Sequence, residues 1–253
     1  GVPLIVDNTV PTPYLIRPLE WGADIVVHSL TKYLGGHGNS IGGAIVDSGK
    51  FPWAEHKGKF RRLNEPDVSY HGVVYTEALG PAAYIGRARV VPLRNMGAAI
   101  SPFNSFLILQ GVETLAVRMD RICDNALGIA RFLAEHPAVS WVNYAGLPDH
   151  PDHALVRQYM GGRASGILTF GVKGGRAAGE KFLDALKLVI RLVNIGDARS
   201  LATHPASTTH RQLSPAELAK AGVSEDMVRL SIGIEPLEVL WSAIEAALLG
   251  GKS

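Results

Sequence analysis

The chain has 253 residues, 47% hydrophobic and 19% charged, with a formal net charge of +2. So mild a balance, without a clustered Lys/Arg tract, argues against nucleic acid or an anionic membrane surface as partner, and no apolar run approaches the roughly 20 residues that span a bilayer. The expected partners are small molecules or other subunits, and the single cysteine, Cys123, excludes an internal disulfide framework and suits a reducing, cytoplasmic compartment.

The first residues lack the basic start of a leader and read at once as a buried strand, Leu4–Val6, ending at Asp7. A chain that opens inside a sheet is expected to be part of something longer. Ile25–Val27 and Ile41–Val46 are two further short, continuous apolar runs, the pattern of parallel strands buried on both faces. Between the first two, "PYLIRPLEWGA" allows only a short helix, because Pro11, Pro13 and Pro18 interrupt it. Residues 47–75 are polar and irregular and read as a long functional or covering loop.

From Asn104 the apolar spacing turns helical, through Phe106, Leu109, Val112, Val117, Ile122, Ile129 and Leu133, with Asn104 or Ser105 as cap after Pro102. Read through to Ala134 this is one long bridging helix, unless Gly111 or Gly128 bends it. Cys123 lies in that pattern and is expected to be inert packing. Beyond it strands and helices alternate: "VSWVNY", "GILTFGV", a helix over residues 175–188, "IRLVNIG", "MVRLSIGI" and a last helix over residues 236–249. In "MVRLSIGI", Val228, Leu230, Ile232 and Ile234 point one way and Arg229, Ser231 and Gly233 the other, as in a sheet with one face packed and one facing a cleft or solvent. The organisation expected is an α/β unit over residues 1–110, a bridging helix over 111–134 and a smaller α+β unit over 135–253, with no internal repeat.

The chemistry concentrates at the ends of the first two strands. Asp7 alone reads as a turn or cap residue, but Lys32 follows at the end of the next strand, and adjacent parallel strands bring both to one rim. A lysine there can form a Schiff base with an aldehyde, Ser29 and Thr31 offer hydroxyls to a phosphate, and Gly35, Gly36, Gly38, Gly42 and Gly43 let backbone approach closely. A carboxylate across a pyridine ring would keep its nitrogen protonated. These are the parts of a pyridoxal phosphate site.

"VDNTVPTPYLIRPLEWGADIVVHSLTKYLGGHGNSIGG" resembles the trans-sulfuration enzymes of cysteine and methionine metabolism, a fold-type I pyridoxal phosphate family. "EPDVSYHGVVYTEALG", "SPFNSFLILQGVETLAVRM", "VNYAGLPDHPDH", "SLATHPASTTHRQL" and "VRLSIGIE" are similar, within it, to the O-acetylhomoserine sulfhydrylase branch, so the likeness runs from Gly1 to Gly250. It implies a large domain with a mainly parallel sheet and a smaller α+β C-terminal domain. It implies Lys32 as the residue joined covalently to pyridoxal 5'-phosphate, Asp7 as partner of the ring nitrogen, Thr9 beside the ring, and Ser29 and Thr31 on the phosphate. Arg229 and Ser200 match the positions that hold the substrate's α-carboxylate. An arginine on the non-core face of a strand also suits a bidentate carboxylate contact in its own right.

The implied reaction is γ-replacement on O-acetylhomoserine by sulfide or a small thiol, giving homocysteine or a thioether and acetate. Cystathionine γ-synthase and methionine γ-lyase chemistry use the same residues and stand as alternatives, as does a catalytically silent family fragment. The family's pattern also has an N-terminal segment before this point, with a helix start that receives the phosphate, an aromatic stacked on the ring and a tyrosine-arginine pair reaching into a neighbouring subunit. That segment is therefore expected as a missing partner of the same polypeptide, within a homotetramer of dimers that share active sites. His204 and His210 lack companions at ligand spacing and read as loop residues with no metal, and His37 as a loop or supporting residue.

Overall fold

The computed structural model describes residues 1–250; the last three residues of the expected second unit, 251–253, lie outside the described residues. Strand β1 (Ile5–Asp7) runs parallel to β2 (Ile25–Ser29), with Asp7 opposite Val27. The connection between them holds the short helix α1 (Thr12–Leu15) and a 3-10 turn over Pro18–Trp21, each starting beside a proline, as the spacing of prolines predicts. Strand β3 (Gly43–Asp47) pairs with the other edge of β2, but antiparallel, which corrects the expectation of a third parallel strand. The physical reason is the connection. A parallel return needs a crossover, whereas the Lys32 loop folds straight back and closes where Leu30 N–H donates to Gly42 O at 2.9 Å. Burial also departs from expectation: Ile25 and Val26 in the central strand are buried, while Leu4 and Ile5 on one side and Ile45 and Val46 on the other are exposed.

Residues 47–75 are not a loose loop. Phe51, Trp53, Leu63 and Tyr75 are buried against Ile25 and Ala83, and Asn64 donates to the carbonyls of Trp53 and Phe60. Short helices α2 (Arg61–Asn64), α3 (Tyr75–Leu79) and α4 (Ala83–Ala88) carry this packing, and an exposed α5 (Arg94–Met96) follows. The apolar anchors sit at irregular spacing among charged residues, so no period announces them.

The long helix is two. Helix α6 (Pro102–Glu113) starts at Ser101, whose side chain accepts from Asn104 N–H; that cap lies before Pro102, three places ahead of Asn104 and four ahead of Ser105, with Pro102 at the first helical position. Helix α7 (Leu115–Glu135) follows after a break at Thr114. The break lies where α6 presses onto the glycine loop: a Cβ on Gly111 would sit 2.0 Å from Gly35 O. Gly128 lies within α7 without ending it and leaves room for Leu237. Leu115, Met119, Ile122, Ala126, Ile129, Ala130 and Leu133 form the buried stripe of α7, and Cys123 is buried beside it.

The second sheet has five strands in the order β4-β5-β8-β7-β6: β4 (Val139–Asn143), β5 (Ile167–Val172), β6 (Ile190–Arg191), β7 (Leu201–Thr203) and β8 (Met227–Ser231). Its pairings are antiparallel except β6 with β7. Helices α8 (His153–Met160), α9 (Gly175–Ala185), α10 (Pro215–Lys220) and α11 (Leu237–Leu248) complete the unit. Leu168, Phe170, Val228 and Leu230 pack with Phe182 of α9, Leu240 and Ile244 of α11 and Ala126, Ile129, Ala130 and Leu133 of α7 in one core, while Leu115, Met119 and Ile122 of α7 pack with Leu15, Tyr33 and Leu34 in another.

Two details differ from the sequence pattern. Strand β6 covers two residues of "IRLVNIG" and β7 three within "SLATHP", both too short for a readable alternation. Strand β8 ends at Ser231, so Ile232 is buried but Ile234 is exposed. Of the two settings expected for the face bearing Arg229 and Ser231, cleft or solvent, it has the first: Ser231 is buried and its hydroxyl oxygen accepts from Gly196 N–H. Among the described residues no helix is long and apolar enough to cross a membrane.

Candidate active site

Two groups of side chains meet where β1 and β2 end. Asp7 closes β1, and its Oδ1 accepts from Thr9 N–H at 3.0 Å. Thr9 in turn accepts, at Oγ1, the N–H of Ser29 at 2.8 Å, so one threonine joins the rims of the two parallel strands. The Thr9 hydroxyl and then its amide hold the Asp7 carboxyl below the ordinary carboxylate range, against a smaller opposing effect of burial. Asp7 is thereby kept an anion at an exposed rim. The neighbouring His28 also has its pKa lowered, its imidazolium disfavoured chiefly by burial.

Beyond Ser29 the chain turns tightly: Lys32 N–H donates to Ser29 O, Gly35 N–H to Leu30 O and Gly36 N–H to Lys32 O, at 3.3, 2.9 and 2.7 Å. A Cβ on Gly35 would lie 2.8 Å from Leu30 O, so this turn requires the missing side chain. Thr31 fastens the loop's two ends, its hydroxyl oxygen accepting from Gly42 N–H at 3.1 Å. The turn aims Lys32 away from β2, and its Nζ donates to Asn194 Oδ1. No carboxylate pairs with Lys32 among the described residues.

Asn194 is the residue that sequence reasoning missed. Its side chain receives Lys32 and its carbonyl receives Arg229 Nη2 at 3.2 Å, so the expected amine and the expected carboxylate anchor meet through one residue. Arg229 lies on β8 between Thr203 and Thr169, half-buried, and burial lowers its pKa somewhat from the usual guanidinium value. The available signal was the Asn-x-Gly of "NIGD", a turn rather than a strand. Gly196 has φ +76°, and a Cβ there would sit 2.5 Å from Tyr33 N, so only glycine lets this turn reach the lysine loop.

Ser200 is not presented to that cleft. It is fully buried, its hydroxyl donates to Glu235 Oε2 at 2.8 Å and accepts Gly233 N–H at 2.8 Å, and its own amide donates to Glu235 Oε1. Both roles of the hydroxyl are filled inside the protein, so the structure gives Ser200 the task of fastening β7 to the chain after β8. His204 lies in the loop after β7 and is buried there, with Nδ1 against Ser207 Oγ and Nε2 donating to Glu225 O.

Lys32, Asn194 and Arg229 thus form one group and Asp7, Thr9 and Ser29 another, with the Ser29–Lys32 turn between them. The set fits pyridoxal phosphate: an amine free of ion pairing, a rim carboxylate kept ionised by its neighbours, and the Ser29 hydroxyl at the mouth of a glycine-lined turn.

The model of the family described as Cys/Met metabolism PLP-dependent enzyme matches residues 1–249. An O-acetyl-L-homoserine sulfhydrylase of Thermus thermophilus is 53% identical over 98% of this chain and 59% of its own length, and one of Leptospira meyeri is 52% identical over 98% and 58%. A solved Campylobacter jejuni structure assigned as an O-acetylhomoserine (thiol)-lyase and containing a pyridoxyl-lysine monophosphate superposes with a TM-score of 0.91 at 39% identity, over 98% of this chain and 59% of that one. The chain therefore spans somewhat over half the length of the relatives it matches.

Proposed function

Because the chain belongs to the Cys/Met metabolism PLP-dependent enzyme family, we propose that Lys32 is its cofactor lysine and that the whole enzyme performs γ-replacement on O-acetylhomoserine. Sulfide or a small thiol is the acceptor, and homocysteine or a thioether and acetate are the products. The observation that carries the reading is the junction at Asn194, which holds an amine and a guanidinium together. The names of the relatives support the substrate.

Pyridoxal phosphate, when bound, supplies an electron sink for the charge that develops at the substrate's α-carbon. Asp7, held ionised by Thr9, keeps the ring nitrogen protonated. The Ser29 hydroxyl and the Thr31 loop hold the phosphate end. Arg229 binds the substrate's α-carboxylate through its planar fork, and Asn194 orients that fork. Lys32 Nζ takes the α-proton and then moves a proton at the β-carbon, which lets acetate leave from the γ-carbon. Ser200 acts by fastening the strand beside Arg229, without touching substrate.

Buried Cys123 is in keeping with a reducing, cytoplasmic setting. The exposed Phe103, Phe106 and Leu109 of α6 are in keeping with burial against further copies in a tetramer of active-site-sharing dimers. Borohydride reduction of the cofactor-saturated enzyme followed by peptide mapping is expected to place a pyridoxyl adduct on Lys32. O-acetylhomoserine with sulfide is expected to yield homocysteine and acetate. An adduct on another lysine, or turnover of methionine or O-succinylhomoserine in preference, would overturn the reading.

A further inference from the structure

Helix α7 buries a guanidinium that meets no carboxylate among the described residues. Arg118 is 5% exposed. Its Nη1 donates to Tyr33 O at 2.8 Å, its Nη2 to Gly111 O at 2.6 Å and to Leu34 O at 3.3 Å, and its Nε to Thr114 Oγ1 at 3.0 Å. Burying a charge without a counter-ion is expensive, so a guanidinium that spends its donors on main-chain carbonyls is holding backbone in place. Two of those carbonyls belong to the residues directly after Lys32, and the other two acceptors frame the break between α6 and α7. The loop is shaped to admit it: Gly36 has φ +71°, and a Cβ there would lie 2.3 Å from Arg118 Nη1.

The opposite side of the same loop meets the Asn194 turn. Ala198 N–H donates to Gly36 O at 2.8 Å, and Gly196 packs on Tyr33. The lysine loop is therefore gripped between the helix break, through Arg118, and the turn that carries Asn194. We infer that Arg118 is a positioning residue for Lys32, setting where Nζ stands relative to Asn194 and Arg229. This rests on the reading of Lys32 proposed above. A lysine at position 118 is a poor replacement, because one ammonium cannot reproduce a planar fork reaching both sides of the junction.

The test compares the unsubstituted holoenzyme with Arg118→Lys and with Thr114→Val, which removes the acceptor of Nε together with the Thr114 hydroxyl's own bond to Gly111 O and leaves the bonds of Nη1 and Nη2. In Arg118→Lys the pyridoxyl adduct stays on Lys32, and the visible absorbance of the cofactor–lysine linkage titrates with a midpoint displaced by at least about half a pH unit. Its kcat falls about tenfold or more while KM for the amino acid stays within about threefold, as a misplaced reacting group requires. In the cofactor-free protein the Gly35 and Gly36 amides exchange about tenfold faster than in the unsubstituted protein. Thr114→Val moves the same readings in the same direction by less, and it decides the matter if Arg118→Lys does not fold. A variant that melts at lower temperature yet keeps the titration midpoint and kcat would overturn the inference, leaving Arg118 a purely structural residue. A pyridoxyl adduct outside Lys32 in the unsubstituted enzyme would overturn the reading of the site itself, and this one with it.

Discussion

The two sheets treat their apolar residues differently. Phe170, Val228 and Leu230 of the five-stranded sheet are completely buried, whereas Leu4, Ile5 and Ile45 around the three-stranded sheet are 53%, 52% and 48% exposed. Yet the candidate catalytic lysine and carboxylate stand on the rim of the thinner sheet. Three strands with one well-buried member are a weak platform for placing an amine to within an ångström. The rim is instead held from outside its own sheet, by Thr9 across the strand ends, by Arg118 from α7 and by the Gly196–Ala198 turn. Site precision here is a property of the junction between the two halves.

That contrast can be broken first at its chemical end. Lys32→Ala is expected to lower turnover by at least about a thousandfold, because base and cofactor attachment are lost together. Steady-state product formation by the cofactor-saturated enzyme checks it, and appreciable residual activity would remove Lys32 from its role. The stability side comes next. Phe170→Ala is expected to cost about 3–5 kcal/mol in denaturant unfolding, since it empties a core site, whereas Ile5→Ala should cost no more than about 0.5 kcal/mol at a half-exposed position. Equal costs at the two positions would show that the sheets do not differ as their burial indicates.

Arg229→Lys sharpens the comparison at the point where the second sheet reaches into the site. KM for the amino-acid substrate is expected to rise about 10–100-fold with a smaller change in kcat, since the lysine keeps charge but loses the fork. A kcat effect alone would mean that Arg229 is not the carboxylate anchor. The smallest effect is expected at Cys123, where burial raises the thiol's pKa from 9.0 to about 11. The neutral thiol is the form favoured by folding, so its contribution is fully present below about pH 9 and is lost as pH rises toward about 11. Alkylation by iodoacetamide at pH 8 should accordingly be slow in native protein and fast in urea, with mass spectrometry as the readout; rapid native labelling would contradict the burial.

The legible features were those with a local cause. Prolines at 11, 13 and 18 limited the helix between the first two strands, the period through Ile122, Ile129 and Leu133 announced α7 although Val117, read into the same period, is exposed, and Asp7 and Lys32 at successive strand ends marked the rim. The family likeness extended that to Arg229. Illegible features depend on partners far along the chain. The direction of β3 is set by a loop that closes on itself, and the break at Thr114 by Gly35 pressing on Gly111. Buried anchors such as Trp53 and Leu63 follow no period.

The sharpest division runs through the site residues. A lysine after a strand, bracketed by hydroxyls and glycines, announces its chemistry through residue type and order, because those act over a single turn of chain. That Asn194 meets Lys32, that Ser200 spends its hydroxyl on Glu235, and that Arg118 reaches Tyr33 O are facts of long-range packing. No local propensity encodes them. They exist only once a 21-residue helix and a five-stranded sheet have closed against the lysine loop and brought these donors within reach of their acceptors.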